Sequence, residues 1–257
     1  MNVLQPAKGL QVFFNPVTTS LARDFINFSI QNNKMKNLVN IGLGICLMWA
    51  ANPAVAQKTI SEGMMVYDME IQSGNVLPRK GDALDGASTT VYLKGNSSRK
   101  DMVSALGNES TIHEAKSGNA VILKEFSGQK LMITLTKDDW LVKNKGYSDI
   151  HFELTDETKT IAGFACKKAI AKMADGKSFV VYYTPDLVVA NKEYDPTFSN
   201  LPGLAMQYEI ESGKMKFKYT LTKISFDPVQ VSKFDFPKSG YRVMTYEENQ
   251  QMKKGNR

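Results

Sequence analysis

MQYEIESGKMKFKYTLT, residues 206–222, decides the fold class. Met206, Tyr208 and Ile210 alternate with Gln207, Glu209 and Glu211. Beyond Ser212-Gly213, the apolar residues Met215, Phe217, Tyr219 and Leu221 alternate with Lys216, Lys218, Thr220 and Thr222. Successive side chains of a strand point to opposite faces, so each half reads as a strand with one apolar and one wet face. Glu211-Ser212-Gly213-Lys214 lies between them, and glycine reaches positive φ there without steric cost. The stretch is therefore expected to form a hairpin.

The same period recurs outward from it. Met65, Tyr67, Met69 and Ile71 alternate with Val66, Asp68, Glu70 and Gln72, and Leu131, Ile133 and Leu135 alternate with Met132, Thr134 and Thr136. Ser127-Gly128-Gln129 joins Val121–Phe126 to the strand at 130–137, and Ala174-Asp175-Gly176-Lys177 joins the strand around Cys166–Met173 to Phe179–Thr184. A run of hairpins implies an antiparallel sheet. Helical signals are confined to Asp138–Lys145, a short turn or helix, and Thr245–Lys254 at the end; residues 73–87 read as a loop. The expected fold is mainly β: a single curled antiparallel sheet, a half-open barrel, with one or two short helices. A sheet with one apolar face must bury it, and curling does so with little helix.

Near the N-terminus, Met35-Lys36-Asn37 precedes the apolar run LVNIGLGICLMWAA, followed by Asn52-Pro53-Ala54-Val55-Ala56 and Gln57. A basic start, a short apolar core and small residues at Ala54 and Ala56 have the layout of a secretory signal peptide. The run falls short of the roughly 20 residues a spanning helix needs. Residues 35–56 are read as the signal peptide, cut between Ala56 and Gln57, and 1–34 as a spurious or disordered extension. Residues 57–247 form the expected single β domain, and 248–257 a polar flexible tail. The bulky Ile45 before Cys46 argues against a lipidation site. The expected location is the periplasm or the outer membrane.

The chain carries 32 basic and 26 acidic residues, but four of the bases and one acid lie in residues 1–56, leaving a formal charge of +3 on the rest. The lysines are scattered along alternating strands and no arginine-rich helix appears, which argues against nucleic acid. Only Cys166 lies in the expected mature part, so it has no internal disulfide partner and reads as a small buried hydrophobe.

Catalytic signatures are missing. His113-Glu114 and His151-Phe152-Glu153 lack the spacing of a zinc protease, and no Pro-Cys-x-x-Cys follows the His-x-Glu at His151. Both histidines are expected on the strand surface or partly buried. No G-x-S-x-G elbow, P-loop or dinucleotide fingerprint occurs. Asp138-Asp139 and Asp156-Glu157 read as solvated turn residues, and Lys167-Lys168 as a strand-edge or surface pair. No enzyme activity, cofactor or metal is expected.

Three blocks occur in order: Val91-Tyr92-Leu93-Lys94-Gly95-Asn96 with Arg99-Lys100-Asp101-Met102; Ile161-Ala162-Gly163-Phe164-Ala165-Cys166-Lys167-Lys168-Ala169 with Tyr182-Tyr183-Thr184-Pro185-Asp186; and Phe198-Ser199-Asn200-Leu201-Pro202-Gly203-Leu204 with the closing Phe236-Pro237-Lys238-Ser239-Gly240-Tyr241. Over residues 62–247 this resembles the uncharacterised exported envelope proteins of the GLPGLI type and their domain-of-unknown-function relatives. Asn200 stands where the signature's first glycine would be and Ala205 where its last isoleucine would be, which places the chain nearer the relatives. The resemblance implies an exported protein without an established activity and, more loosely, a half-barrel similar to the LolA and LolB lipoprotein carriers.

Leu201-Pro202-Gly203-Leu204 has its own local reading. Pro202 pre-sets φ for the second position of a type II turn, and Gly203 is expected to supply positive φ at the third. Its leucines either cap the core at a strand entry or form a lip at a cavity mouth. Trp140, Tyr183, Phe198, Leu201, Leu204, Tyr208 and Phe217 are the candidate residues for an apolar ligand, because ring faces contribute contact area. The leading expectation is a non-enzymatic envelope protein holding a lipid or acyl chain; the rival is a filled barrel that docks another envelope protein. Peripheral membrane association and the oligomeric state are left open.

Overall fold

The computed structural model describes residues 57–73, 86–147, 149–212 and 215–255. The expected extension 1–34, the signal peptide 35–56 with its cleavage at Ala56, and most of the loop 73–87 lie outside the described residues.

The first meander runs β2 (Glu62–Ser73), β3 (Ser88–Lys94), β4 (Ser97–Ser104), β5 (Gly107–Glu114), β6 (Ala120–Phe126) and β7 (Gln129–Leu135). A helix, α1 (Lys137–Asn144), separates it from a second meander of β8 (His151–Ile161), β9 (Phe164–Lys172), β10 (Ser178–Thr184), β12 (Leu204–Ser212) and β13 (Met215–Ser225). A short strand, β14 (Arg242–Thr245), leads into α2 (Tyr246–Gly255). Twelve strands form one sheet in the order β14-β7-β6-β5-β4-β3-β2-β13-β12-β10-β9-β8. Its two ends, β14 and β8, do not pair, so the sheet is open and not a closed barrel. Every pairing is antiparallel except β14 on β7. A separate two-stranded parallel sheet joins β1 (Lys58–Ile60) to β11 (Leu187–Val189).

Turn chemistry follows the sequence. Ser127 and Gly128 both take positive φ between Phe126 and its partner Gln129, as a tight hairpin requires. Ala162 and Gly163 do the same between Ile161 and Phe164. The apolar alternation supplies the core: Met65, Tyr67, Val91, Leu93, Met206 and Leu221 share one buried cluster with Ile60 of β1 and Leu187 of β11. On the first meander, Ile112, Leu123 and Met132 form a separate cluster, closed by Phe234 and Tyr241 of the segment before β14. Hydrogen bonds from Lys94 Nζ to the Val229 carbonyl (2.9 Å) and from Arg99 to the Lys233 carbonyl (2.9 Å) strap that segment to the sheet.

Several expectations need correction. Asp156-Glu157 is not a turn but part of edge strand β8, whose register shifts between Leu154 and Thr158. The shift accommodates polar residues at an exposed edge, where it also discourages pairing with another chain. Lys167-Lys168 is a surface pair, as one of the two expected readings had it, but on β9, one strand in from that edge, with Lys168 paired to Glu157 at 2.6 Å. His113 is not on the surface: it is buried, with 1 % of its area exposed. The segment read both as a terminal helix and as a polar tail is helical through Gly255 and buries none of its residues.

Gly203 does not take positive φ. It is required for a different reason: a Cβ there would stand 2.2 Å from the Thr184 carbonyl oxygen. The Leu-Pro-Gly-Leu segment thus lies flush on the end of β10, and Leu201 and Leu204 are each 1 % exposed. Gly203→Ala is expected to cost about 1–3 kcal/mol, the usual range for overpacking a closed site. Gly146, with open space around its Cα, is the control, and Gly146→Ala is expected to be near neutral. Urea unfolding of the two variants checks this.

Candidate functional site

A cleft of about 280 Å3 lies over the middle of the sheet, lined by β3, β4, β5, β12 and β13 and covered by α1 and residues 194–198. Both covering elements are placed by local capping. Thr136 accepts from Asp139 N (3.2 Å) and donates its own backbone N–H to Asp139 Oδ2 (2.9 Å), a reciprocal cap that starts α1. One residue later Trp140 points down onto Ala120, Ile133 and Leu135, and its ring stacks on His113 with centroids 4.3 Å apart. Across the cleft, Asn191 caps the single 3-10 turn Lys192–Tyr194 and Asp195 caps the next, Pro196–Phe198, by accepting from Thr197 N at 3.2 Å. Asn191 Nδ2 donates to the Asn96 carbonyl (3.0 Å), which fastens this loop to the β3–β4 turn.

Aromatic rings form much of the wall. Tyr208 is the hub: it stacks on Tyr219 at 4.7 Å and meets Phe198 at 4.8 Å and Tyr67 at 6.1 Å. Such contacts each add roughly 0.5–1.5 kcal/mol beyond the area they bury. The Tyr67 hydroxyl donates to the Ala205 carbonyl at 2.9 Å, which fixes the depth of the wall behind it.

The floor is charged. Lys100 of β4 reaches Asp195 Oδ2 at 2.5 Å; the lysine side chain keeps 38 % of its surface open to the cleft while Asp195 keeps 11 %. Burial pushes the Lys100 ammonium toward its neutral form, but the Asp195 charge and hydrogen bond outweigh it and the net direction is upward. Burial likewise raises Asp195, and Lys100 with the Thr197 donors outweighs it, holding the carboxyl below its ordinary range. Burial lowers His113 against the weaker pull of Glu193 and Glu114, so the imidazole is neutral. Its Nε2 lies 3.8 Å from Glu193, beyond hydrogen-bond reach. Glu109, also on the wall, is paired to Lys124 at 2.5 Å.

Of the seven residues expected at a ligand site, the structure brings Trp140, Phe198 and Tyr208 to the cleft. Tyr183, Leu201 and Leu204 are buried in the core beside it, so the leucines serve as core caps and not as a lip. Phe217 is partly buried and lies outside the lining, although it shares a strand face with Tyr219. Sequence reasoning missed Lys100, His113, Tyr194 and Asp195. Cys166 is buried in the main core, where its thiol faces the Phe164 carbonyl at 3.4 Å and burial raises its pKa. Among the described residues no group of three or more His, Cys, Asp or Glu is placed to hold a metal ion, and no helix is long and apolar enough to cross a membrane.

No family model and no curated protein matches this chain. Solved structures do resemble it at a distance. PNGF-II shares 12% identity at a TM-score of 0.44, over 75% of this chain and 33% of its own. This chain therefore spans about a third of that protein's length. An uncharacterized conserved protein from Thermus thermophilus shares 8% identity at a TM-score of 0.44, over 72% of this chain and 91% of its own. A LolA superfamily protein from Nitrosomonas europaea shares 8% identity at a TM-score of 0.32, over 70% and 92%. Likenesses this distant carry neither ligand nor activity across.

The Lys100–Asp195 pair makes a pH prediction. An aspartate whose folded pKa is depressed stabilises the fold fully above the unfolded value of about 3.9, and that stabilisation is lost as pH falls through the folded value. Asp195→Asn is expected to cost about 2–4 kcal/mol at pH 7, because it leaves a partly buried ammonium unpaired. Below the folded pKa the wild-type residue is itself protonated, so the difference closes. Urea unfolding of both proteins from pH 2 to 7 measures it; a difference that stays constant across that range would refute the assignment.

Proposed function

We propose that this chain is a non-enzymatic, exported envelope protein that binds a small ligand with an apolar body in the cleft over its open sheet. The observation that carries this is the wall: Trp140, Phe198, Tyr208 and Tyr219 line one opening together with Val91 and Met102. Ligand sites are concave and combine apolar surface with polar groups that fix orientation, and this cleft sets its aromatic wall against a polar, charged floor. Its ionised groups favour holding over reacting: Lys100 is committed to Asp195 and Glu109 to Lys124. The thiol that could have served as a nucleophile lies in the core instead.

Export is supported by the signal-peptide layout of residues 35–56 and by the resemblance to the GLPGLI-type envelope proteins. The size of the cleft, about 280 Å3, favours a short acyl chain or a single ring system over a whole lipid.

The protein purified in its folded state from bacterial cells is expected to carry non-covalent organic mass, released by organic solvent, in native mass spectrometry. Thr111→Trp, which places an indole in the cleft, is expected to carry less. A bare wild-type protein that gains nothing from lipid extract would overturn the reading and favour a protein-docking role.

A further inference from the structure

The cleft holds several side-chain donors that no protein acceptor meets. The hydroxyls of Tyr194, Tyr208 and Tyr219 line it, and none of them hydrogen-bonds another described residue. Burial raises the pKa of all three phenols, so each keeps its proton. His113 lines the same cleft at 1 % exposure, and neither of its ring nitrogens has a hydrogen-bond partner, Glu193 standing 3.8 Å from Nε2. A neutral imidazole always presents one N–H donor. Lys100 spends one of its three donors on Asp195.

The carboxylates of the lining are already paired. Asp195 gives Oδ2 to Lys100 and Oδ1 to Thr197 N, and Glu109 gives Oε2 to Lys124. Arg99 is held by Asp101 at 2.6 Å. Lys143, at the rim, pairs with no carboxylate among the described residues; its ammonium lies 5.5 Å over the Trp140 ring. The residue is exposed, yet its charged end folds back over the indole, where burial lowers its pKa. The lining thus sets three cations against two carboxylates.

Leaving the buried His113 nitrogens without an acceptor is costly, and the phenol hydroxyls add donors that face the same cleft, so the set suits a group that brings acceptors with it. We propose that the ligand carries an oxyanion, a carboxylate or a phosphate-type group, seated among Lys100, His113, Tyr208 and Tyr219 with Lys143 above it. This rests on the cleft being the ligand site, and it specifies the chemistry of the ligand's polar end. The aromatic wall takes the apolar body, and the Lys100–Asp195 pair holds the lysine donors in place before the ligand arrives.

Calorimetric titration of the full chain with octanoate, octan-1-ol and octylamine tests it, since the three probes share a chain and differ in the head group. Octanoate is expected to bind at least about tenfold more tightly than either of the others, as charge-assisted hydrogen bonds exceed neutral ones. The double variant Tyr208→Phe/Tyr219→Phe keeps both rings and removes two donors. It is expected to weaken octanoate about tenfold and octan-1-ol by much less. Lys143→Ala, on an exposed helix position that favours alanine, is expected to act in the same direction. Equal affinity for the three probes, a preference for octylamine, or octanoate binding unchanged in both variants would overturn the oxyanion. Absence of binding by all three would overturn it too, and the native mass of Thr111→Trp against wild type then shows whether the cleft reading falls with it.

Discussion

The pairing of β2 with β13 is the constraint on which the rest depends. Each meander assembles from neighbours in sequence, but these two strands meet across roughly 150 residues, as the Lys218–Glu70 contact shows with its separation of 148. Without the seam there are two separate sheets, each with an unprotected edge and half a core. With it, Tyr67, Met69, Tyr219 and Leu221 fall into one continuous layer. Register matters more than strength here. A slip of one residue would turn Tyr219 and Leu221 outward and bring Lys218 and Thr220 into the core. The register shift between Leu221 and Lys223 lets the strand change its pairing before it reaches Met64 and Met65, so both ends keep apolar residues inside. Contacts so far apart in sequence form late, and the hairpins must persist until they do.

The legible parts of the fold were those with a local signal. Strands β7, β12 and β13 alternate cleanly in sequence, although Met132 on β7 and Gln207 on β12 lie on the second face and are buried as well. The Ser127-Gly128 turn shows its positive φ in its residue types. Strands β4 and β5 were not legible. SSRKDMVS and GNESTIHE have polar residues on both faces, because one face lines a charged cleft and the other meets the Val229–Tyr241 strap. Strand β8 was hidden for a related reason: an edge strand is under selection to look polar. The polar cleft thus blurs the alternation that reveals a strand.

The site was legible only in its aromatic part. Trp140, Phe198 and Tyr208 draw attention as large rings, and three of the seven candidates did reach the cleft. Tyr183, Leu201 and Leu204 are equally apolar, and nothing in the sequence separates a wall residue from a core residue one layer deeper. Lys100 and Asp195 lie 95 residues apart and carry no mutual signal. Asp195-Pro196 reads locally as a helix cap, which it is. That its second oxygen also anchors a lysine from the opposite sheet strand is a fact of tertiary structure alone.

Stability alone does not explain the polar floor of this cleft. Replacing a buried ion pair by apolar residues of similar volume is often neutral or stabilising, and a phenylalanine at Tyr208 or Tyr219 would forfeit no hydrogen bond within the protein. A neutral imidazole stacked on an indole with both nitrogens unmet carries a desolvation cost of about 1–3 kcal/mol. These costs occur together, on one wall of one cleft, while the clusters on either side of it are apolar and closely packed. A local departure of this kind is what the proposed ligand site would show. On the proposed reading, the donors facing the cleft are half of a set of hydrogen bonds whose other half arrives with a ligand.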